Sequence, residues 1–149
     1  MNKQRVNNYL PAAIKALGDC GIADKTTGVI IKTYRSNISG FGAAVAMGSF
    51  KAAVAFYSSD AKSNTGEAGK INRSKLIQAM DLIVNSDKEN YEKKEAQEIC
   101  KEILTNCTDK SILDALCEKY LDASIALKLA MNSFDLKDQD SKAKEKQGE

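Results

Sequence analysis

The sequence predicts an all-α fold: a compact bundle of five to six helices with a Gly/Ala-rich central helix pair. Three observations carry that expectation. Apolar residues recur at helical spacing in segment after segment. The β-branched run Val29, Ile30 and Ile31 finds no second alternating run to pair with. Finally, Tyr34 to Tyr57 (YRSNISGFGAAVAMGSFKAAVAFY) is rich in Ala and Gly and nearly uncharged, in a chain that is 28% Asp, Glu, Lys and Arg.

The elements follow in order. From Lys3 to Asp19, the residues Val6, Leu10, Ala13, Ile14 and Leu17 fall on a helical face. Pro11 interrupts this segment, so the helix either kinks there or restarts with Pro11 in its first turn. Gly18 and Gly21 close it, Asp24 to Gly28 connects, and Val29 to Ile31 is read as the lead into the central stretch. Within that stretch Ser36, Gly40, Ala44, Gly48 and Ala52 recur every four residues. A helix turns in about 3.6 residues, so they share one stripe where another backbone can approach closely. Phe41, Val45, Met47, Phe50, Val54, Phe56 and Tyr57 flank it. Mid-helix Gly costs about 1 kcal/mol against Ala, so its glycines point to a packing or turning requirement. A break near Gly48 and Ser49 makes the stretch two helices.

Ser58 to Gly69 reads as a loop, followed by the basic run KINRSK. Leu76, Ile77, Met80, Ile83 and Val84 form the next helical face, and Asn85 to Asn90 a polar turn. Another amphipathic helix carries Ala96, Ile99, Cys100, Ile103, Leu104 and Cys107. Thr108 and Asp109 cap a longer one with Leu113, Leu116, Cys117, Tyr120, Leu121, Leu127, Met131 and Phe134. Residues 1–137 are expected to form a single helical domain, and 138–149 (ending DSKAKEKQGE) a disordered polar tail.

Composition narrows the function. At 149 residues the chain suits one domain with a real core. Residues 1–75 hold 11 Lys or Arg against 4 Asp or Glu, whereas residues 76–149 hold 11 against 16. The opposite signs predict a basic face for an anionic partner and an acidic face elsewhere. With no histidine in the chain, Ser-His-Asp and Cys-His nucleophile pairs and His metal ligands are excluded. Cys20, Cys100, Cys107 and Cys117 contain no C-x-x-C pair and read as free thiols of a reducing cytoplasm. The N-terminus has no apolar signal segment. Ile38 to Tyr57 has the length of a membrane span, but Lys51 lies inside it and its Ala and Gly contribute little to insertion; no membrane association is expected.

No catalytic group emerges. Gly40 and Gly42 are not followed by the third glycine of a dinucleotide loop, since Val45 stands there, and no GK[S/T] occurs. Glu95, Glu98 and Glu102 share a helix face, but Lys94 and Lys101 interleave with them and no E-x-x-H accompanies them. The expectation is no enzyme, no metal and no cofactor. What survives is binding. Lys32, Arg35, Lys51, Lys70, Arg73 and Lys75 are the candidate nucleic-acid contacts, with Lys3 and Arg5 adding to the basic half. Tyr34, Phe41 and Tyr57 are either core aromatics or stacking platforms.

The central stretch resembles the motif of the small subunit of the type III-B CRISPR effector, the Cmr complex. Tyr34, Ser39, Phe41, Gly42, Gly48, Ala55, Phe56 and Tyr57 occupy its positions. RSKLIQAMDLI and ALKLAMNSF resemble two later helices of that family, although Leu129 stands where a basic residue is expected. The resemblance implies an all-α, non-catalytic protein of antiviral defence. Copies would stack head to tail beside the backbone subunits that hold the guide RNA, near the large subunit, and help line a channel for target RNA. The motif residues themselves would serve packing. Two alternatives stand beside it: a helical protein–protein adaptor without nucleic-acid contact, and an enzyme with an unrecognised Asp/Glu or Cys site.

Overall fold

A computed structural model describes residues 1–63 and 71–138. Helix α1 (Lys3–Asp19) starts at Asn2, whose side chain accepts from the Arg5 N–H at 3.0 Å. It runs unbroken through Pro11. Asn7 and Pro11 both lie on the exposed side, where the carbonyl that a proline leaves unpaired meets water. Gly21, at φ +73°, turns the chain out of the helix. Asp24 then accepts from the N–H groups of Thr26 and Thr27, closing an Asx turn.

Strand β1 (Val29–Ile31) corrects the sequence expectation. It pairs in parallel with β2 (Asp135–Lys137), Ile30 opposite Leu136. The partner is a three-residue run with one half-buried residue, at the far end of the chain, too short to show an alternating pattern. Only the fold brings the two together.

Helices α2 (Lys32–Met47) and α3 (Phe50–Ser58) are the predicted pair, parted where expected. Gly48 ends the first, and the Ser49 hydroxyl accepts from the Ala52 N–H to cap the second. The stripe of small residues does not pack them into the core, however. Ser36, Gly48 and Ala52 are exposed, and Gly40 and Ala44 are half-buried. Instead α2 buries Tyr34, Ile38 and Phe41. Large apolar side chains gain most from leaving water, so they decide which face turns inward. Ser58 to Ser63 are helical rather than loop: Ser58 closes α3 and a 3-10 turn spans Ser59–Ser63. The rest of the predicted loop, and the tail from residue 139, lie outside the described residues.

Next come α4 (Ser74–Val84), α5 (Ala96–Asn106) and α6 (Lys110–Ala130), the last capped by Asp109 on the N–H groups of Ser111 and Ile112. Among the described residues this makes six α-helices and one two-stranded sheet, an all-α bundle. Burial is deepest along α4, where Leu76, Ile77, Ala79, Met80 and Ile83 are wholly enclosed by α1, α6 and their neighbours. No helix among the described residues is long and apolar enough to cross a membrane.

Two buried carboxylates tie elements together. Asp122 of α6 accepts from Arg5 Nη1 at 3.0 Å and from the Asn2 N–H at 3.3 Å, fixing the start of α1. Asp81 of α4 accepts from the hydroxyls of Tyr91 (2.7 Å) and Tyr120 (3.2 Å) and from Asn85 Nδ2 (3.2 Å). Burial raises the Asp81 carboxyl above its ordinary value, against the pull of both tyrosines.

Arg5→Ala leaves Asp122 buried without its cation and is expected to cost about 3 kcal/mol in urea denaturation. Tyr120→Phe removes one donor from Asp81 and should cost roughly 1.5–3 kcal/mol. Unfolded, Asp81 ionises near the ordinary value of 3.8; folded, it keeps its proton to higher pH. Across that window the native state binds more protons, so the contribution of Asp81 to stability falls as pH rises. Asp81→Asn should remove that part of the pH dependence in a denaturation series run upward from the ordinary carboxylate value of 3.8.

Candidate nucleic-acid interface

The basic residues singled out in the sequence divide according to what already holds them. Lys32 opens α2 and is exposed; its Nζ lies 3.8 Å from Asp138 Oδ1, a loose pair between exposed groups that contributes little. Arg35 lies one turn further on and is half-buried. The first turn of α2 carries no acidic residue and its cap position, Ile31, supplies no side-chain bond. Cations and a helix N-terminus without a side-chain cap therefore meet there, an arrangement that favours an anion.

A second helix start, with no acidic residue in its own first turn, lies beside it. The Asn72 N–H donates to Tyr34 Oη at 3.3 Å, which holds the start of α4 within one tyrosine side chain of the start of α2. Arg73 sits at that start. Its Nε and Nη2 donate to Asp60 at 2.8 and 3.0 Å, and its own N–H adds a third bond at 3.0 Å. The guanidinium holds the Asp60 carboxyl below the usual carboxylate range, and Asp60 raises Arg73 in turn, both chiefly through these hydrogen bonds. The guanidinium carbon also lies 4.4 Å from the centre of the Phe56 ring.

Two further lysines serve helix ends. Lys51 Nζ donates to the Leu104 carbonyl in the last turn of α5 at 3.4 Å, so the lone charge of the apolar stretch finds its partner within the chain. Lys75 Nζ reaches the Gly21 carbonyl just past α1 at 3.4 Å, and Lys93, which carries no sequence signal of its own, reaches Asp19 of the same helix at 3.2 Å. Cations belong at these negative ends. Lys70 lies outside the described residues.

The motif residues divide between core and surface. Tyr34, Phe41 and Tyr57 are buried and cannot stack on bases. Phe41 and Tyr57 meet edge to face at 5.4 Å, and the Tyr57 hydroxyl donates to the Asn37 carbonyl at 2.6 Å. A methyl added at Gly40 would lie 3.4 Å from that hydroxyl, so this glycine lets Tyr57 close onto α2. Gly42 is less constrained, with Leu121 Cδ2 at 4.0 Å from an added methyl. Ser39 is exposed, its hydroxyl turned back to the Arg35 carbonyl. Phe56, expected to pack, is 55% exposed. The reason is helical geometry: α3 buries Phe50, Ala53, Val54 and Tyr57 on one face, and position 56 falls off it. That offset is present in the sequence and points to the exposed ring.

The described residues hold no group of three Cys, Asp or Glu placed for a metal. Of the three glutamates on the α5 side, Glu102 pairs with Lys94 at 3.1 Å. Comparison with protein-family models, with curated proteins and with solved structures finds no match for this chain.

Stability measurements separate the structural cations from the exposed ones. Arg73→Ala should cost about 1–2 kcal/mol, since it removes a bidentate partner and the cover of Phe56. Lys32→Ala should stay within about 0.5 kcal/mol of the parent in the same thermal melts.

Proposed function

We propose that this protein is a non-catalytic, RNA-binding small subunit of a cytoplasmic type III-B CRISPR ribonucleoprotein, acting in antiviral defence. In this reading copies stack head to tail beside the backbone subunits that carry the guide RNA, assemble with the large subunit in one complex, and help hold target RNA. The observation that carries it is the juxtaposition of the α2 start, which holds Lys32 and Arg35 and no acidic residue in its first turn, with the Arg73–Phe56 stack at the start of α4. Helix N-termini and lysines suit phosphates, and an exposed aromatic or guanidinium plane suits a base face. Such contacts bind a strand without reading its sequence, as expected where a guide supplies the pairing. The opposite charge of the two halves of the chain supports a stack in which unlike surfaces meet, a heterologous contact.

Within this reading the six cations differ in role. Lys32 and Arg35 touch the strand directly. Arg73 contributes as a plane rather than as a free charge, because Asp60 already balances it. Lys51 and Lys75 act chiefly on the fold, and Lys70 joins the strand-binding group by its place in the basic run.

One specific observation favours the adaptor as second reading. Met47 is 89% and Ile112 61% exposed, each an apolar group that a protein partner would cover.

Affinity capture of the tagged chain from its native host is expected to bring down effector subunits and guide RNA. In the captured complex, Lys32→Gln with Arg35→Gln should weaken target-RNA binding. The slope of its salt dependence should flatten by about 0.7 for each phosphate no longer neutralised. Phe56→Ala should weaken RNA binding while lowering the melting temperature only slightly, through loss of the ring that Arg73 stacks on. Recovery with protein partners but no RNA, or variants that bind target RNA like the parent, would favour the adaptor.

A further inference from the structure

The first half of α6 carries an apolar face that the bundle leaves uncovered. Residues 110–119 include no buried residue, whereas from Tyr120 to Ala130 the helix buries seven. The change falls where α1 begins, since Asp122 holds the Asn2 N–H and the Arg5 guanidinium. On the buried half, one face of α6 holds Ala123, Leu127 and Ala130. Followed back toward the helix start at helical spacing, the same face holds Lys119, Leu116, Ile112 and Asp109. Ile112 is 61% exposed, Leu116 is half-buried, and Asp109 and Lys119 are exposed. Neither of the two charged groups forms an ion pair among the described residues. Asp109 caps the helix through Oδ1, which leaves its other oxygen for a cation.

The order of these four residues decides what fits over them. They are spaced three, four and three apart, as along the seam between two packed helices. The pattern is also symmetric about Asp114, with opposite charges at its ends. Laid antiparallel on a second copy, the face sets Asp109 against Lys119 at both ends and Ile112 against Leu116 between them. A two-fold contact requires such a self-complementary patch. Parallel pairing would instead oppose Asp109 to Asp109 and Lys119 to Lys119, which is repulsive. The exposed Ala115 beside Ile112 is small and lets a second helix come close.

We propose that two copies of this chain pair through the first halves of their α6 helices, antiparallel about a two-fold axis at the level of Asp114. Ile112 of each copy packs on Leu116 of the other, and Asp109 of each pairs with Lys119 of the other. Such a contact closes at two copies. It goes beyond the RNA-binding reading, whose stack is heterologous, and rests on none of its contacts.

The test is analytical ultracentrifugation of the free full-length chain, without RNA, over a concentration series. An isotope-filtered NOE measurement on mixed labelled and unlabelled protein accompanies it. A reversible monomer–dimer equilibrium is expected, with methyl contacts between Ile112 of one copy and Leu116 of the other. Ile112→Gln should raise the dissociation constant at least about tenfold, through loss of buried apolar surface. Lys119→Glu places two carboxylates together at each end and should raise it about fivefold, less at high salt. Both positions are exposed, so the dilute variants should keep the amide spectrum of the parent. A chain that stays monomeric at every concentration would overturn the proposal, as would a dimer that either variant leaves equally tight. Contacts of Ile112 with Ile112 would overturn it in favour of a parallel pair. Species that grow beyond the dimer would overturn it in favour of an open-ended stack.

Discussion

Burial of α4 is the constraint on which the rest of the structure depends. Five of its eleven residues are large or small apolar groups with no exposure at all, and they reach that state because α1 and α6 close over them. Such close packing leaves no room for water, so each polar group drawn into the same region needs a partner from the chain. Asp81 meets that need with Tyr91, Tyr120 and Asn85. Tyr120 then carries the connection to α3 by packing on Phe50, ring centres 5.2 Å apart. A hydrophobic centre and one buried carboxylate thus fix the positions of four elements.

Helix ends account for much of the remaining order, and for the spread of positive charge. Three lysines are engaged at the carbonyl ends of α1 and α5, where the backbone leaves acceptors unpaired. The start of α2 shows the opposite arrangement, with Lys32 and Arg35 where a carboxylate would be the stabilising choice, whereas Asp60 supplies that carboxylate at the start of α4. Cations at a helix start gain nothing from the helix dipole. This contrast separates Lys32 and Arg35 from Lys51 and Lys75.

Much of the candidate site was hidden for a physical reason. A lysine reads the same in a sequence whether it caps a helix or faces solvent, so Lys51 stood out for its apolar neighbours when its partner was the Leu104 carbonyl, 53 residues away. The charge of Arg73 was likewise legible and its balance by Asp60 was not. Aromatic residues were easier in principle. The inward face of α3 is written in its own spacing, and that spacing leaves Phe56 outside, although the apolar character of the whole stretch masked it.

By itself the sequence determined the helices, the break near Gly48 and Ser49, and the cap at Asp109. These are local matters, settled by spacing within a few turns and by which side chains bond to the nearest backbone. Tertiary structure alone decided that Val29 to Ile31 would find Asp135 to Lys137, that α4 would lie deepest, and which cations would be left over. Each of those depends on groups far apart in the chain, brought together by burying the largest apolar surfaces first. Residues with small side chains, such as the Gly/Ala stripe, took whatever face remained.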